Sequence, residues 1–211
     1  MTTALDVAGE YGALADLLES AEPGVWDAPS LCDGWRTREV VAHMTMPARY
    51  DVPAFMAELE AAGGDFGRLS DVVAARDGAL PAATLLDDLR SAVLHEWQPP
   101  GGGQEGALVH CVIHELDIVE AVPLGRRVPA AVIRSVLGLV VAEGAPAPNL
   151  FGVDLNDVAL RADDVDWSSG SDSGADAVVT GPAQALALVA CGRLLPPGRL
   201  GGQAASRFTR S

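Results

Sequence analysis

Two histidines, His110 and His114, stand four positions apart within EGALVHCVIHELDIVEAV (105–122), the most continuous helical pattern in the chain. At about 100° per residue they are separated by about 40° around the helix axis, so both imidazoles project from one face. Such a pair is a common grip on a divalent transition metal, and it needs a further ligand from elsewhere. His43 is the candidate, because it lies among Val40, Val41 and Met44, where a ring turned into a bundle requires a polar partner. Asp117 falls within about 20° of His110 on the same projection and is placed to orient a ligand ring by accepting its N–H.

A competing reading stays open, in which the His110/His114 pair is fortuitous and His43 is a hydrogen-bonded core residue. HCVIH is not the zinc-protease signature, since that motif carries its general-base glutamate directly after the first histidine and this chain has Cys111 there. His95, near a helix end, reads as a residue interacting with the helix dipole and not as a ligand. Cys32, Cys111 and Cys191 are odd in number and widely spaced, which argues against a disulfide framework and for a reducing cytoplasm. They read as small apolar residues, with Cys32 near a pocket mouth.

The elements that must position these groups are mainly helical. Apolar residues recur at helical spacing from Ala4 to Ser20, and VWDAPSLCDGW (25–35) reads as an ordered turn that packs its tryptophans on the bundle. Thr37 is the expected N-cap of a helix running to the glycines at 63 and 64, kinked or interrupted at Pro47 and Pro53. Residues 63–78 read as a polar connection, 81–97 as a helix, 105–122 as the next and 129–144 as a fifth. An APAP linker follows, giving expected domains 1–146 and 147–211. The second has strands at 157–163 and 175–181, a helix at 182–193 and a frayed tail.

The composition sets limits on partners. With 49% hydrophobic residues among 211 the chain can bury a core, and with only 5% aromatic residues that core is aliphatic. All 14 basic residues are arginine and the net charge is −15, a surface that repels nucleic acid and anionic lipid. No export signal or membrane-length apolar run is evident, so a cytoplasmic protein is expected; oligomeric state is unreadable.

Three motifs then come together: W-x-x-P-S-x-C-x-G-W leading into V-V-A-H (Trp26 to His43), H-x-x-x-H-E-x-D (110–117) and T-G-P-A-x-A-L-x-L-x-x-C-G-R (180–193). In this the chain resembles the mycothiol-dependent maleylpyruvate isomerase family over nearly its whole length. The resemblance implies a DinB-like four-helix bundle followed by a small C-terminal α/β domain. It further implies a divalent metal, usually zinc with nickel or iron also suited to imidazoles, and mycothiol or a similar thiol as cosubstrate. His43 and His114 match the family's histidine ligands. At position 110 the family carries glutamate, whereas related DinB-like proteins use three histidines, as this chain does with His110.

Three neutral imidazoles leave the cation its full charge, which makes it a stronger Lewis acid toward a thiol in an open fourth position. Arg193, in the motif's G-R, is the expected holder of a substrate carboxylate. The resemblance thus points to S-transfer to, or isomerisation of, a small electrophile; the alternative is a non-catalytic metal- or ligand-binding stress-response protein.

Overall fold

In a computed structural model of the chain, residues 6–141, 149, 151–155, 157–170 and 177–210 are described. The backbone divides into two compact units, Leu5–Arg126 and Arg127–Ser211. The expected break after residue 146 falls in a stretch outside the described residues, and the helix just before it groups with the C-terminal unit.

In the first unit, α1 (Val7–Ser20) is capped by Asp6, whose carboxylate accepts from the Gly9 N–H at 2.8 Å, and buries Tyr11, Leu14, Ala15 and Leu18 along one stripe. A 3-10 turn at Pro23–Asp27 buries Trp26. The chain then pairs Pro29 with Arg36 and turns at Gly34, whose φ of 78° suits a residue without a Cβ. α2 (Thr37–Met44) starts at Thr37, so Arg36 occupies the cap position expected for Thr37. Glu39 reaches back to accept from the Arg36 backbone N–H at 2.9 Å, as the capping-box partner would.

The stretch from 37 to 62, expected to be kinked or interrupted at its prolines, is interrupted into three helices. Pro47 and Pro53 each lie in the first turn of a new one, α3 (Met46–Arg49) and α4 (Val52–Ala61), where a missing N–H costs nothing. The polar stretch expected as a connection is instead mostly α5 (Phe66–Asp77). Gly63 and Gly64 make the turn at φ 75° and 79°, Asp65 caps the helix, and Leu69, Val73 and Ala74 supply a buried face too narrow to stand out as an apolar period. The expected helix 81–97 is broken at Arg90 and Ser91 into α6 (Ala82–Leu89) and α7 (Ala92–Glu96).

α8 (Gly103–Val119) carries Ala107, Leu108, Cys111, Val112, Leu116 and Ile118 into the core. α1 packs against α6, α7 and α8, and α2 against α5, α6 and α8. Arg126 ties α1 to α8 by donating to Glu10 and Glu115, each at 2.7 Å. Burial nevertheless pushes the Glu115 carboxyl up to about 7, because Arg126 offsets only part of the desolvation.

In the second unit, α9 (Ala130–Val140) packs on α10 (Ala183–Ala190), every residue of which is buried. β1 (Val158–Ala162) is the central strand, antiparallel to β2 (Ser168–Ser169) and parallel to β3 (Ala177–Gly181), with Leu160 opposite Val179. The tail expected to fray is tied down: Leu195 N–H donates to Phe208 at 2.9 Å, Arg210 N–H donates to Leu195 at 2.8 Å, and Phe208 is buried.

Candidate metal centre

α2 is buried on nearly every side, and this turns His43 inward toward the face of α8 that carries His110 and His114. The three rings form a closed cluster. Centroids of His43 and His110 are 5.3 Å apart, those of His43 and His114 4.9 Å, and those of His110 and His114 4.9 Å. One ring nitrogen from each lies within 4.8 Å of the others.

The His43 and His110 Nε2 atoms are 3.4 Å apart. Two ligands in tetrahedral directions at the usual zinc–nitrogen distance of about 2.0–2.1 Å stand about 3.3–3.4 Å from each other, so this spacing suits a shared cation. Burial and the adjoining His114 and His43 rings press the His110 pKa well below its ordinary value. The imidazole is therefore neutral at physiological pH and keeps a lone pair to donate. The donor set fits a divalent metal.

Two ligand rings are held from behind. Asp117, fully buried on the next turn of α8, accepts from His114 Nδ1 at 3.0 Å, which leaves that ring's Nε2 as its lone-pair side. The carboxylate that spacing placed near His110 thus serves His114, three residues away. Asp117 also accepts the Cys32 thiol proton, Sγ to Oδ2 being 3.0 Å, and its backbone carbonyl accepts from the Leu31 N–H at 2.9 Å. The fully buried Tyr11 hydroxyl lies 3.3 Å from His110 Nδ1 and plays the corresponding part for that ring.

Neither Tyr11 nor Cys32 was legible as a site residue. Tyr11 sits in an ordinary apolar stripe, and Cys32 reaches α8 only through the turn before Trp35. His95 is apart from the cluster: its Nε2 donates to the Leu89 carbonyl at 2.9 Å, in line with a helix-end role. Arg193 belongs to the other unit, where its Nη1 donates to the Cys191 carbonyl at 3.1 Å and its N–H to Leu188 at 3.0 Å.

Aromatic rings wall the cluster. Trp35 lies 5.1 Å from His43, Phe66 6.5 Å from His43, and Trp97 5.2 Å from His110, centroid to centroid.

Residues 7–95, the part of the bundle that contributes His43, match the family model of the mycothiol maleylpyruvate isomerase N-terminal domain. The chain is similar to that family over this N-terminal stretch. Its fold is the DinB-like bundle with a small α/β part. A crystal structure of the mycothiol-dependent maleylpyruvate isomerase superposes with a TM-score of 0.58 at 16% identity, over 95% of this chain and 92% of that one. A mutant of that enzyme with one histidine changed to alanine gives 0.54 at 15%, with the same coverage. No curated protein matches the sequence. Among the described residues no helix is long and apolar enough to cross a membrane.

Proposed function

We propose that this chain belongs to the mycothiol maleylpyruvate isomerase family and is a cytoplasmic metal-dependent enzyme that uses a low-molecular-weight thiol, mycothiol or one like it, against a small electrophile. The observation carrying the reading is the convergence of His43, His110 and His114, with two Nε2 atoms 3.4 Å apart. These three imidazoles would hold the cation, zinc, nickel or iron by the chemistry of the donor set, and its charge would keep a bound thiol ionised at neutral pH.

The chain's own groups supply the rest. Asp117 fixes the tautomer and direction of His114, and Tyr11 restrains His110. Trp35, Phe66 and Trp97 shed water from the space over the rings, which strengthens charge interactions there. Transfer of the thiol sulfur to an electrophile needs no further acid or base from the protein when the leaving group departs as a stable anion.

Isomerisation of a dicarboxylate is the second reading, and the role proposed for Arg193 as a carboxylate anchor belongs with it. Arg193→Met would then raise KM for such a substrate and leave KM for an uncharged one alone.

Elemental analysis of the purified protein, together with His43→Ala, His110→Ala and His114→Ala, tests the centre: each change should deplete the metal. Incubating metal-loaded protein with mycothiol and electrophiles should give conjugates that vanish on chelation. Full metal with no turnover of any thiol would replace the enzyme by a ligand-binding module.

A further inference from the structure

Phe66 is 56% exposed although its ring neighbours a ligand imidazole, and it does not stand alone. Phe55 on α4 lies 6.4 Å from it. α4 has no buried residue: its Phe55 and Leu59 rest partly covered on the small cluster of Met46, Leu69 and Val73. Val52 and Met56, four positions apart and so on one face of α4, are 75% and 52% exposed. Trp35, Phe66 and Trp97 each adjoin a ring of the histidine cluster and Phe55 adjoins Phe66, apolar neighbours of the kind that line a binding site.

Charge around the cluster excludes the obvious alternative occupant. Arg36 and Arg38 both bind Asp27, with Arg36 also on Glu39; Arg49 bridges Asp77 and Asp88. Arg76 pairs with Glu58 and Asp77, Arg90 with Asp16 and Glu19, and Arg126 with Glu10 and Glu115. The seventh arginine of the unit, Arg68, follows Phe66 by two positions and so points about 200° round α5 from it. One polar atom beside Trp35 is acidic: Asp71 Oδ1 accepts from its indole at 3.1 Å. A dianionic substrate would enter an aromatic, acid-edged opening with six of the unit's seven arginines already paired to carboxylates.

We propose that the electrophile taken by this site is an uncharged aromatic or other flat apolar molecule, seated on Phe66, Trp35 and Trp97 with α4 as the outer wall. The proposal rests on the thiol-dependent reading above and names its substrate class. In chemical terms the thiolate sulfur bonds to an electron-poor ring carbon, the halide on that carbon leaves with its bonding pair, and the thiol proton passes to water.

Two matched pairs of probes test it. Binding of dinitroaniline and of dinitrobenzoate to the full-length metal-loaded protein, measured by calorimetry, compares one ring with and without a charge. The neutral ring should bind at least about tenfold tighter, and Phe66→Ser, at a largely exposed position, should weaken neutral-ring binding about tenfold with the helical circular dichroism unchanged. Equal or tighter binding of the benzoate overturns the proposal, as does neutral-ring binding that Phe66→Ser leaves unchanged. The reactive pair, chlorodinitrobenzene and chlorodinitrobenzoate with mycothiol, reads the underlying reaction separately. Selective binding without turnover of either would defeat the enzyme reading and keep the apolar seat; turnover of both at equal kcat/KM with unselective binding would do the reverse.

Discussion

Replacing Asp117 by asparagine changes one oxygen to NH2 in a fully buried position, and the structure says what is lost. The carboxylate accepts from His114 Nδ1 and from Cys32 Sγ, both at 3.0 Å. A hydrogen bond to an ionised acceptor contributes about 1.5–3 kcal/mol, against about 0.5–1.5 kcal/mol for a neutral pair. The neutral amide, even with its oxygen in the place of Oδ2, therefore forfeits roughly 1–1.5 kcal/mol of support for His114. Since about 1.4 kcal/mol is a factor of ten, metal affinity should fall about tenfold or somewhat more. Tyr11→Phe removes a longer contact of 3.3 Å between uncharged groups and should cost about threefold. Competition against a chromophoric chelator gives both constants, and thermal unfolding of the metal-free variants checks the scaffold. Wild-type affinity in Asp117→Asn, or a larger loss in Tyr11→Phe, would refute the assignment of Asp117 as the residue that orients a ligand.

Leu116 is fully buried on α8 two residues beyond His114, so Leu116→Ala should cost about 2–5 kcal/mol and lower Tm by several degrees in calorimetry. Asp77 is pushed up by burial, but hydrogen bonds from Tyr50, Arg76 and Arg49 outweigh this and hold its carboxyl below the ordinary value. Its contribution is accordingly complete above an unfolded-state pKa of about 3.9 and disappears as pH falls through the native value. Asp77→Asn should be about 1–3 kcal/mol less stable than the parent at pH 7 in urea titrations, with the gap narrowing as the pH falls below the unfolded-state value. His110→Glu introduces a carboxylate among the imidazoles and lowers the net charge on a held cation. The variant should retain metal by elemental analysis and show thiol-dependent turnover whose alkaline rise is displaced to higher pH.

What the sequence disclosed about the centre was the part governed by helical periodicity. The spacing of His110, His114 and Asp117 on one helix is a local property, and α8 realises it. That His43 meets them depends on the packing of α2 on α8, which spacing alone leaves open and the family resemblance supplied. The polar neighbours behind the rings were hidden because their roles arise between elements: Tyr11 is separated from His110 by 99 positions and Cys32 from Asp117 by 85. Errors in the fold had equally specific causes. Prolines at 47 and 53 interrupt the helix, one of the two outcomes expected of them, whereas α5 was missed because Gly63, Gly64 and its polar residues masked a face of only a few apolar side chains. Tertiary packing also rescued the tail, which has no strong local preference of its own.

The division of ligands between α8 and α2 has a mechanical corollary. His110 and His114 ride on one rigid rod, whereas His43 is separated from His110 by 67 positions, so a cation gripped by all three would act as a clasp across a long stretch of chain. Opening that clasp means prising two helices apart, while fraying either rod at its tip leaves it shut. Loading with metal would then slow wholesale unravelling far more than local breathing, and amide protons in the middles of α2 and α8 would be the ones whose exchange it delays.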